Sequence, residues 1–157
     1  MNSSTLKSVY IESIFSNQKD DYYGGDVKIL GTATGFYYKY KDRMFLVTNK
    51  HVVTGKNTFT GQCISSLGSI PTVLRAVVNF DIINNDDSHE YFEATLAFEL
   101  YEDIQSQLDK IWYESEKSDM IDVAVIDVTE RYHKSIENIK KSDNAKNVTG
   151  IIINYKK

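Results

Sequence analysis

The chain is built from short runs rich in β-branched and aromatic residues, separated by polar clusters with turn-forming residues. Such runs are typical of β-strands rather than of helices. The clearest case is residues 34–48, where an aromatic arm (34–40) and an aliphatic arm (44–48) flank the polar turn 41–43. This arrangement predicts a β-hairpin, in which side chains of the two arms pack across the strands. The chain must therefore fold largely through antiparallel strand pairing.

Further strands are predicted at residues 27–30, 72–78, 91–98 and 123–126, with a shorter candidate at 111–113. Residues 9–15 fit either a short strand or a helical turn. Five or six antiparallel strands are enough to curl into a small barrel. We therefore expect an all-β protein, a single small antiparallel β-barrel with short peripheral helices.

Residues 57–69 and 79–90 are rich in Gly, Asn, Asp and Ser and are predicted to be surface loops. Apolar residues four apart predict a helix over 99–110, and an amphipathic helix is predicted over 129–141.

The chain has a single proline, and neither a repeat nor a low-complexity tract divides it. We expect one domain over 1–157, with a barrel core at 27–128 and the second helix plus a short terminal strand at 129–157.

Composition narrows the functional classes. The hydrophobic share is 41%, the charged share is 25% and the formal net charge is −4, so no basic surface is expected to bind nucleic acid. No run approaches the length of a membrane span and no leader pattern is visible, so we expect no membrane association. The single cysteine, Cys63, excludes an intrachain disulfide, which favours a reducing, cytoplasmic setting.

His51 and Asp122 are the residues most suited to chemistry. His51 follows the apolar run 45–47, and Asp122 directly precedes another apolar run, 123–126. A histidine can act as a general base near neutral pH, and a carboxylate bonded to its second ring nitrogen fixes the tautomer and the ring orientation. The alternative is a histidine that only packs and bonds locally. A short distance between the two side chains would favour the catalytic interpretation.

Three segments resemble the trypsin-like serine peptidases, particularly the bacterial intracellular branch with a chymotrypsin-type double barrel. Residues 31–37 resemble the opening strand of that family, 46–53 (Leu-Val-Thr-Asn-Lys-His-Val-Val) resemble its histidine motif, and 122–126 (Asp-Val-Ala-Val-Ile) resemble its aspartate motif. The histidine also precedes the aspartate, as in chymotrypsin-type enzymes. The resemblance implies the first of two barrels, with His51 as the base and Asp122 as its orienting carboxylate, and it implies no metal or cofactor.

The family's nucleophilic serine lies in a Gly-x-Ser-Gly motif of the second barrel, and the sequence contains no such motif. We therefore expect a peptidase-related domain that is inactive alone and acts on a peptide or protein substrate only when a second barrel completes it. The face that the second barrel covers in the family would then favour a homodimer or a partner chain.

Other interpretations remain open at this point. One is a non-catalytic β-barrel that binds a partner through its tyrosines or acidic loops. A weaker one is a metal site at His89, with Asp86, Asp87 and Glu90 close in sequence. Cys63 has no basic neighbour in sequence, so we expect it to be inert or half-buried.

Overall fold

The computed structural model describes residues 4–6, 8–17, 22–23, 27–143, 147–151 and 153–155, with side chains in 8–17, 22–23 and 27–141. The strands are β1 (Ser4–Leu6), β2 (Ser8–Phe15), β3 (Lys28–Tyr40), β4 (Arg43–Thr48), β5 (Val73–Ile83), β6 (His89–Glu99), β7 (Tyr101–Asp103), β8 (Leu108–Lys110), β9 (Trp112–Glu114), β10 (Ala124–Asp127), β11 (Asn147–Ile151) and β12 (Ile153–Tyr155). The helices are α1 (Lys50–Thr54) and α2 (Thr129–Asp143).

Eight strands form one antiparallel sheet, in the order β11-β5-β2-β3-β4-β10-β9, with β6 also paired to β5. Two smaller two-stranded sheets join β1 to β12 and β7 to β8. The predicted predominance of antiparallel β structure, with two peripheral helices, is confirmed. The segment 9–15, for which the sequence allowed two conformations, is a strand.

The predicted closed barrel is not formed by the described residues. Among the described residues no strand ladder joins β9 to β6, although Phe98 of β6 and Trp112 of β9 line the same cavity. The chain leaves the sheet after Leu100 to form the β7–β8 hairpin and re-enters it at Ile111. At the base of this segment, Ile111 donates its backbone N–H to the Leu100 carbonyl at 3.0 Å, and the rings of Tyr101 and Trp112 pack edge to face. The sheet is therefore open between β9 and β6, and we call this gap the seam.

The hairpin of β3 and β4 is confirmed, with Phe36 opposite Val47 and Tyr40 opposite Arg43. This register turns Tyr37 and Leu46 into the core, where both side chains are buried. Gly35 is required next to this ladder, because a Cβ there would lie 2.5 Å from the Val47 carbonyl oxygen.

The helix predicted over 99–110 is wrong. Leu100 and Ile104 are buried, but Leu108 is 58% exposed, so the spacing of four does not define one buried face. The segment is the β7–β8 hairpin, in which the Asp103 carboxylate accepts the N–H groups of Gln105 and Ser106. These hydrogen bonds from the backbone to the Asp103 side chain stabilise a hairpin turn rather than a turn of helix.

The loop predicted over 79–90 is also wrong for most of its length. Residues 79–83 extend β5, and β6 begins at His89, which leaves only 84–88 as the connection. The reason is visible in β5, where alternate side chains are buried as far as Phe80 and Ile82. Asn79 and Asp81 alternate with these apolar residues and are less buried, so the segment keeps the period of two of a strand although its polar residues suggested a loop.

The helix predicted over 129–141 is confirmed as α2, whose Tyr132, Ile136 and Ile139 pack against the main core. Asp127 fixes its start, since its carboxylate accepts the N–H and the hydroxyl of Thr129 and pairs with Arg43. Within the described part of the chain, no helix has the length and apolar character needed to cross a membrane.

Candidate functional site

His51 lies in the first turn of α1, immediately after β4. Asn49 is the N-cap residue, and Gly55, at a φ of 67°, ends the helix while donating its N–H to the His51 carbonyl. Val52 and Val53 are buried and hold this short helix against the core. The His51 side chain points away from them and is 42% exposed.

Asp122 is brought to His51 by strand pairing. β10 runs antiparallel to β4, with Ala124 opposite Thr48. The start of β10 and the end of β4 therefore lie at the same edge of the sheet. Residues that are far apart in sequence, one just after β4 and one just before β10, consequently meet there.

Three hydrogen-bond donors converge on the Asp122 carboxylate. Its Oδ2 lies 2.7 Å from Nδ1 of the His51 ring. Its Oδ1 accepts the backbone N–H of His51 at 2.9 Å and the hydroxyl of Thr58 at 2.6 Å. We call His51 and Asp122 the dyad. The two side chains predicted from sequence are therefore in direct contact.

The surroundings keep Asp122 ionised. Burial alone would raise the pKa of Asp122, but the hydrogen bonds from Thr58, from the His51 backbone and from the His51 ring together lower the pKa below its ordinary value. An ionised carboxylate can only accept hydrogen bonds, so Nδ1 of His51 carries the proton that faces it. In the neutral ring, Nε2 is then the unprotonated nitrogen.

A second set of contacts ties α1 to the segment that carries Asp122. Asn49 donates its side-chain amide to the Asp122 carbonyl at 3.1 Å. Lys50 reaches the Asp119 carbonyl at 3.2 Å and the Glu114 carboxylate at 3.1 Å. The dyad is thus held by backbone and side-chain contacts on both sides of His51.

Glu114 is the most strongly shifted carboxylate near this site. Its burial raises the pKa, but hydrogen bonds from Lys110, Trp112 and Lys50 outweigh that effect and lower the pKa of Glu114 to about 2. Lys110 and the Trp112 indole both bond its Oε2 at 2.8 Å. Glu114 is therefore a fixed negative charge that orients Lys50 beside His51.

The dyad has the arrangement required for proton transfer. Among the described residues, none bonds to Nε2 of His51. An imidazole with one nitrogen anchored by a carboxylate and the other free can take a proton from an attacking hydroxyl and return it to a leaving group. No described serine or cysteine is hydrogen bonded to the ring.

The other residues singled out from sequence lie elsewhere. His89 pairs with Asp81 at 3.0 Å rather than with Asp86, Asp87 or Glu90. In the described ranges, no group of three or more His, Cys, Asp and Glu side chains could hold a metal ion. Of the two alternatives for Cys63, half-burial is wrong because the residue is exposed, and a low reactivity of its thiol stays a prediction.

A cavity of about 890 Å³ lies at the open seam between β6 and β9, away from the dyad. Phe98, Trp112, Arg43 and Glu130 are among its lining residues, whereas His51 and Asp122 are not. Its wall carries charges of both signs, so it does not select an ion of one sign.

Thr58, Asn49 and Lys50 were not identified as site residues from the sequence. Asn49 and Lys50 are adjacent to His51, and that adjacency was an available signal. Thr58 lies in a loop rich in hydroxyl groups, where nothing in the sequence distinguishes it from Thr60.

Comparison of the chain with models of known protein families, with curated proteins and with solved structures found no significant match.

Proposed function

We propose that this chain is a trypsin-like serine peptidase-related domain that carries the base and the orienting carboxylate of a catalytic triad, His51 and Asp122. The observation that carries the proposal is the 2.7 Å contact between His51 Nδ1 and Asp122 Oδ2, with Nε2 left without a described partner. In this role His51 would accept the proton of a nucleophilic hydroxyl, and Asp122 would stabilise the imidazolium that forms.

The strand order supports a relation to the first barrel of chymotrypsin-type peptidases. The sheet runs from β6 through β5, β2, β3, β4 and β10 to β9, and Phe98 of β6 and Trp112 of β9 line one cavity. The dyad lies where β4 ends and β10 begins, as the histidine and aspartate motifs of the family would require. We propose that the sheet is such a barrel with one seam interrupted by the β7–β8 hairpin.

Peptide hydrolysis needs a nucleophile and a group that stabilises the oxyanion, in addition to the dyad. The sequence has no Gly-x-Ser-Gly motif, and no described hydroxyl or thiol bonds to the His51 ring. We therefore propose that the 157-residue chain alone does not hydrolyse peptides and that another polypeptide segment or chain supplies the nucleophile.

The surface beside the dyad suits contact with a partner. Phe59 is the neighbour of Thr58, and Met120, Ile121 and Val123 flank Asp122; all four side chains are exposed. Exposed apolar groups that cluster in this way are common at protein contact sites. We expect a peptide or protein chain, or a second copy of this chain, to bind over this surface.

The proposal can be tested with a peptidyl chloromethyl ketone. Its methylene carbon would bond to a free imidazole Nε2 as chloride leaves, and peptide mapping by mass spectrometry would identify the alkylated histidine. The chain contains three histidines. His133 serves as an internal control, and His89, whose Nδ1 lies 3.0 Å from the Asp81 carboxylate, controls for the effect of carboxylate pairing alone. We expect faster alkylation at His51 than at the other two, and a slower reaction in Asp122→Asn.

Equal alkylation of the three histidines would contradict the proposal and favour the non-catalytic binding module. Incubation with a broad peptide library and with a serine-directed fluorophosphonate gives a second test. We expect neither turnover nor labelling, and either one would show that the chain holds its own nucleophile.

A further inference from the structure

The loop that carries Thr58 is closed on itself. Asn57 N–H bonds to the Gln62 carbonyl at 2.8 Å, and Gly61 N–H bonds to the Asn57 carbonyl at 2.8 Å. The Asn57 side-chain oxygen also accepts the N–H groups of Phe59 and Thr60, at 2.9 and 3.0 Å. These bonds surround Thr58 and fix its backbone without any contribution from the Thr58 side chain.

Thr58 uses its hydroxyl for a different contact. Its Oγ1 donates to Asp122 Oδ1 at 2.6 Å, across 64 positions of sequence. That oxygen already accepts the His51 backbone N–H, so the two donors fix the plane of the carboxylate. With the plane fixed, the second oxygen, Oδ2, faces the His51 ring.

Packing does not account for this contact. Phe59 is 65% exposed and Thr60 is exposed, so the tip of the loop is not buried in the core. The loop obtains its shape from hydrogen bonds within the loop. The Thr58 hydroxyl instead bonds to Asp122, in the segment just before β10. We therefore expect the hydroxyl to orient the Asp122 carboxylate rather than to stabilise the loop.

We propose that Thr58 is a positioning residue for the dyad, whose hydroxyl holds the Asp122 carboxylate so that the His51 ring keeps its proton on Nδ1 and presents a bare Nε2. Its value as part of a proton-transfer site rests on the proposed function. Because the donor comes from the same chain, the dyad would be assembled before any nucleophile-bearing partner binds.

The test compares Thr58→Val, which removes the donor with little change in shape, with Thr58→Ser, which keeps it. NMR of the whole chain would follow the carboxyl carbon of Asp122 through a pH titration and the ring proton on His51 Nδ1. Loss of a hydrogen bond to a charged group changes the corresponding equilibrium constant by roughly tenfold or more. In Thr58→Val we expect the Asp122 midpoint to move to higher pH and the ring proton to exchange with water roughly tenfold faster.

Thr58→Ser should restore both signals, and Thr60→Val, a change in the same loop away from Asp122, should leave them as in the unaltered chain. An unchanged midpoint and exchange rate in Thr58→Val would overturn the proposal, as would an equal effect of Thr60→Val. Thr58→Ala removes the same donor without a β-branched side chain, and it serves if Thr58→Val does not fold.

The outcomes separate this inference from the proposed function. If Thr58→Val alters the NMR signals but the chloromethyl ketone does not prefer His51, the peptidase-related role fails and the positioning role stands. If His51 is preferred but Thr58→Val changes nothing, only the role of Thr58 fails.

Discussion

Asp122 holds His51 at two points, through the backbone N–H on one carboxylate oxygen and through the ring nitrogen Nδ1 on the other. The first bond fixes the opening turn of α1, and the second fixes the rotation of the ring. A single carboxylate therefore determines both where the imidazole lies and which way it points. This coupling makes the dyad a structural element as well as a site.

Asp122→Asn should destabilise the protein. The asparagine amide can accept on one side only, so its NH₂ group must face either the ring N–H or the donors from His51 and Thr58. We expect a loss of about 1–3 kcal/mol in the free energy of unfolding, measured by urea denaturation.

Asp119→Asn is the matched control for Asp122→Asn, because Lys50 binds the backbone carbonyl of Asp119 and not its carboxylate. Its effect should stay within about 0.5 kcal/mol. Equal losses in the two variants would show that the hydrogen bonds at Asp122 add nothing to stability.

Stability should fall steeply in acid. The pKa values of Asp122 and Glu114 are both lowered in the folded protein, that of Glu114 to about 2. Their contribution is therefore complete above the unfolded-state pKa of about 4 and is lost as the pH falls through the folded-state values. Urea denaturation from pH 7 to pH 2 should show stability constant at first and then decreasing below about pH 5.

Glu114→Gln distinguishes the contribution of Glu114 to the acid sensitivity from that of Asp122. It removes one of the titrating carboxyls, so its stability should depend less steeply on pH between about 5 and 2 than that of the unaltered chain. An identical pH dependence would mean that Glu114 is not paired as the structure indicates.

Gly35→Ala should be far more harmful than Gly31→Ala. At Gly35 a Cβ would lie 2.5 Å from the Val47 carbonyl oxygen and 2.7 Å from a methyl group of Ile11, and neither the ladder nor the core can move freely. We expect Gly35→Ala to cost about 3 kcal/mol in the free energy of unfolding.

At Gly31 the nearest atom, Ser13 Oγ, is 3.5 Å away, an ordinary contact. Gly31→Ala should be neutral or slightly stabilising, because alanine restricts the unfolded chain. Thermal denaturation of both variants checks the pair, and similar melting temperatures would refute the close approach at Gly35.

Asp127→Ala should loosen the start of α2. The change removes the acceptor for the Thr129 N–H and hydroxyl and the partner of Arg43. We expect a loss of about 1–2 kcal/mol and faster amide hydrogen exchange in the first turn of the helix. Asp42→Ala, at the exposed turn of the β3–β4 hairpin, is the control and should change neither quantity.

Local patterns predicted the parts of the fold that depend on local pairing. The β3–β4 hairpin has its two arms adjacent in sequence, so the alternation of side chains and the short turn were sufficient to identify it. The 99–110 segment failed because a spacing of four is shared by a helical face and by a hairpin whose turn falls between the apolar residues. Only the burial of Leu100 and Ile104, with Leu108 outside, distinguishes the two.

The two residues of the dyad could be predicted because each lies beside an apolar strand, where packing alone gives no reason for a charged or titratable side chain. The geometry of the dyad could not be predicted, since it depends on the β4–β10 register, which pairs Ala124 with Thr48. Thr58 was beyond prediction for a similar reason. Its role arises from the path of a loop, and loops carry no periodic signal. The open seam likewise follows from how one hairpin leaves the sheet.

Cys63 gives the chain a practical advantage. It is the sole thiol in the sequence, it is exposed, and it lies one residue beyond the closed turn that carries Thr58. A maleimide fluorophore or a nitroxide would therefore attach at one defined position without any mutagenesis. Such a reporter would sense the approach of a binding molecule to the neighbouring dyad while leaving His51 and Asp122 chemically intact.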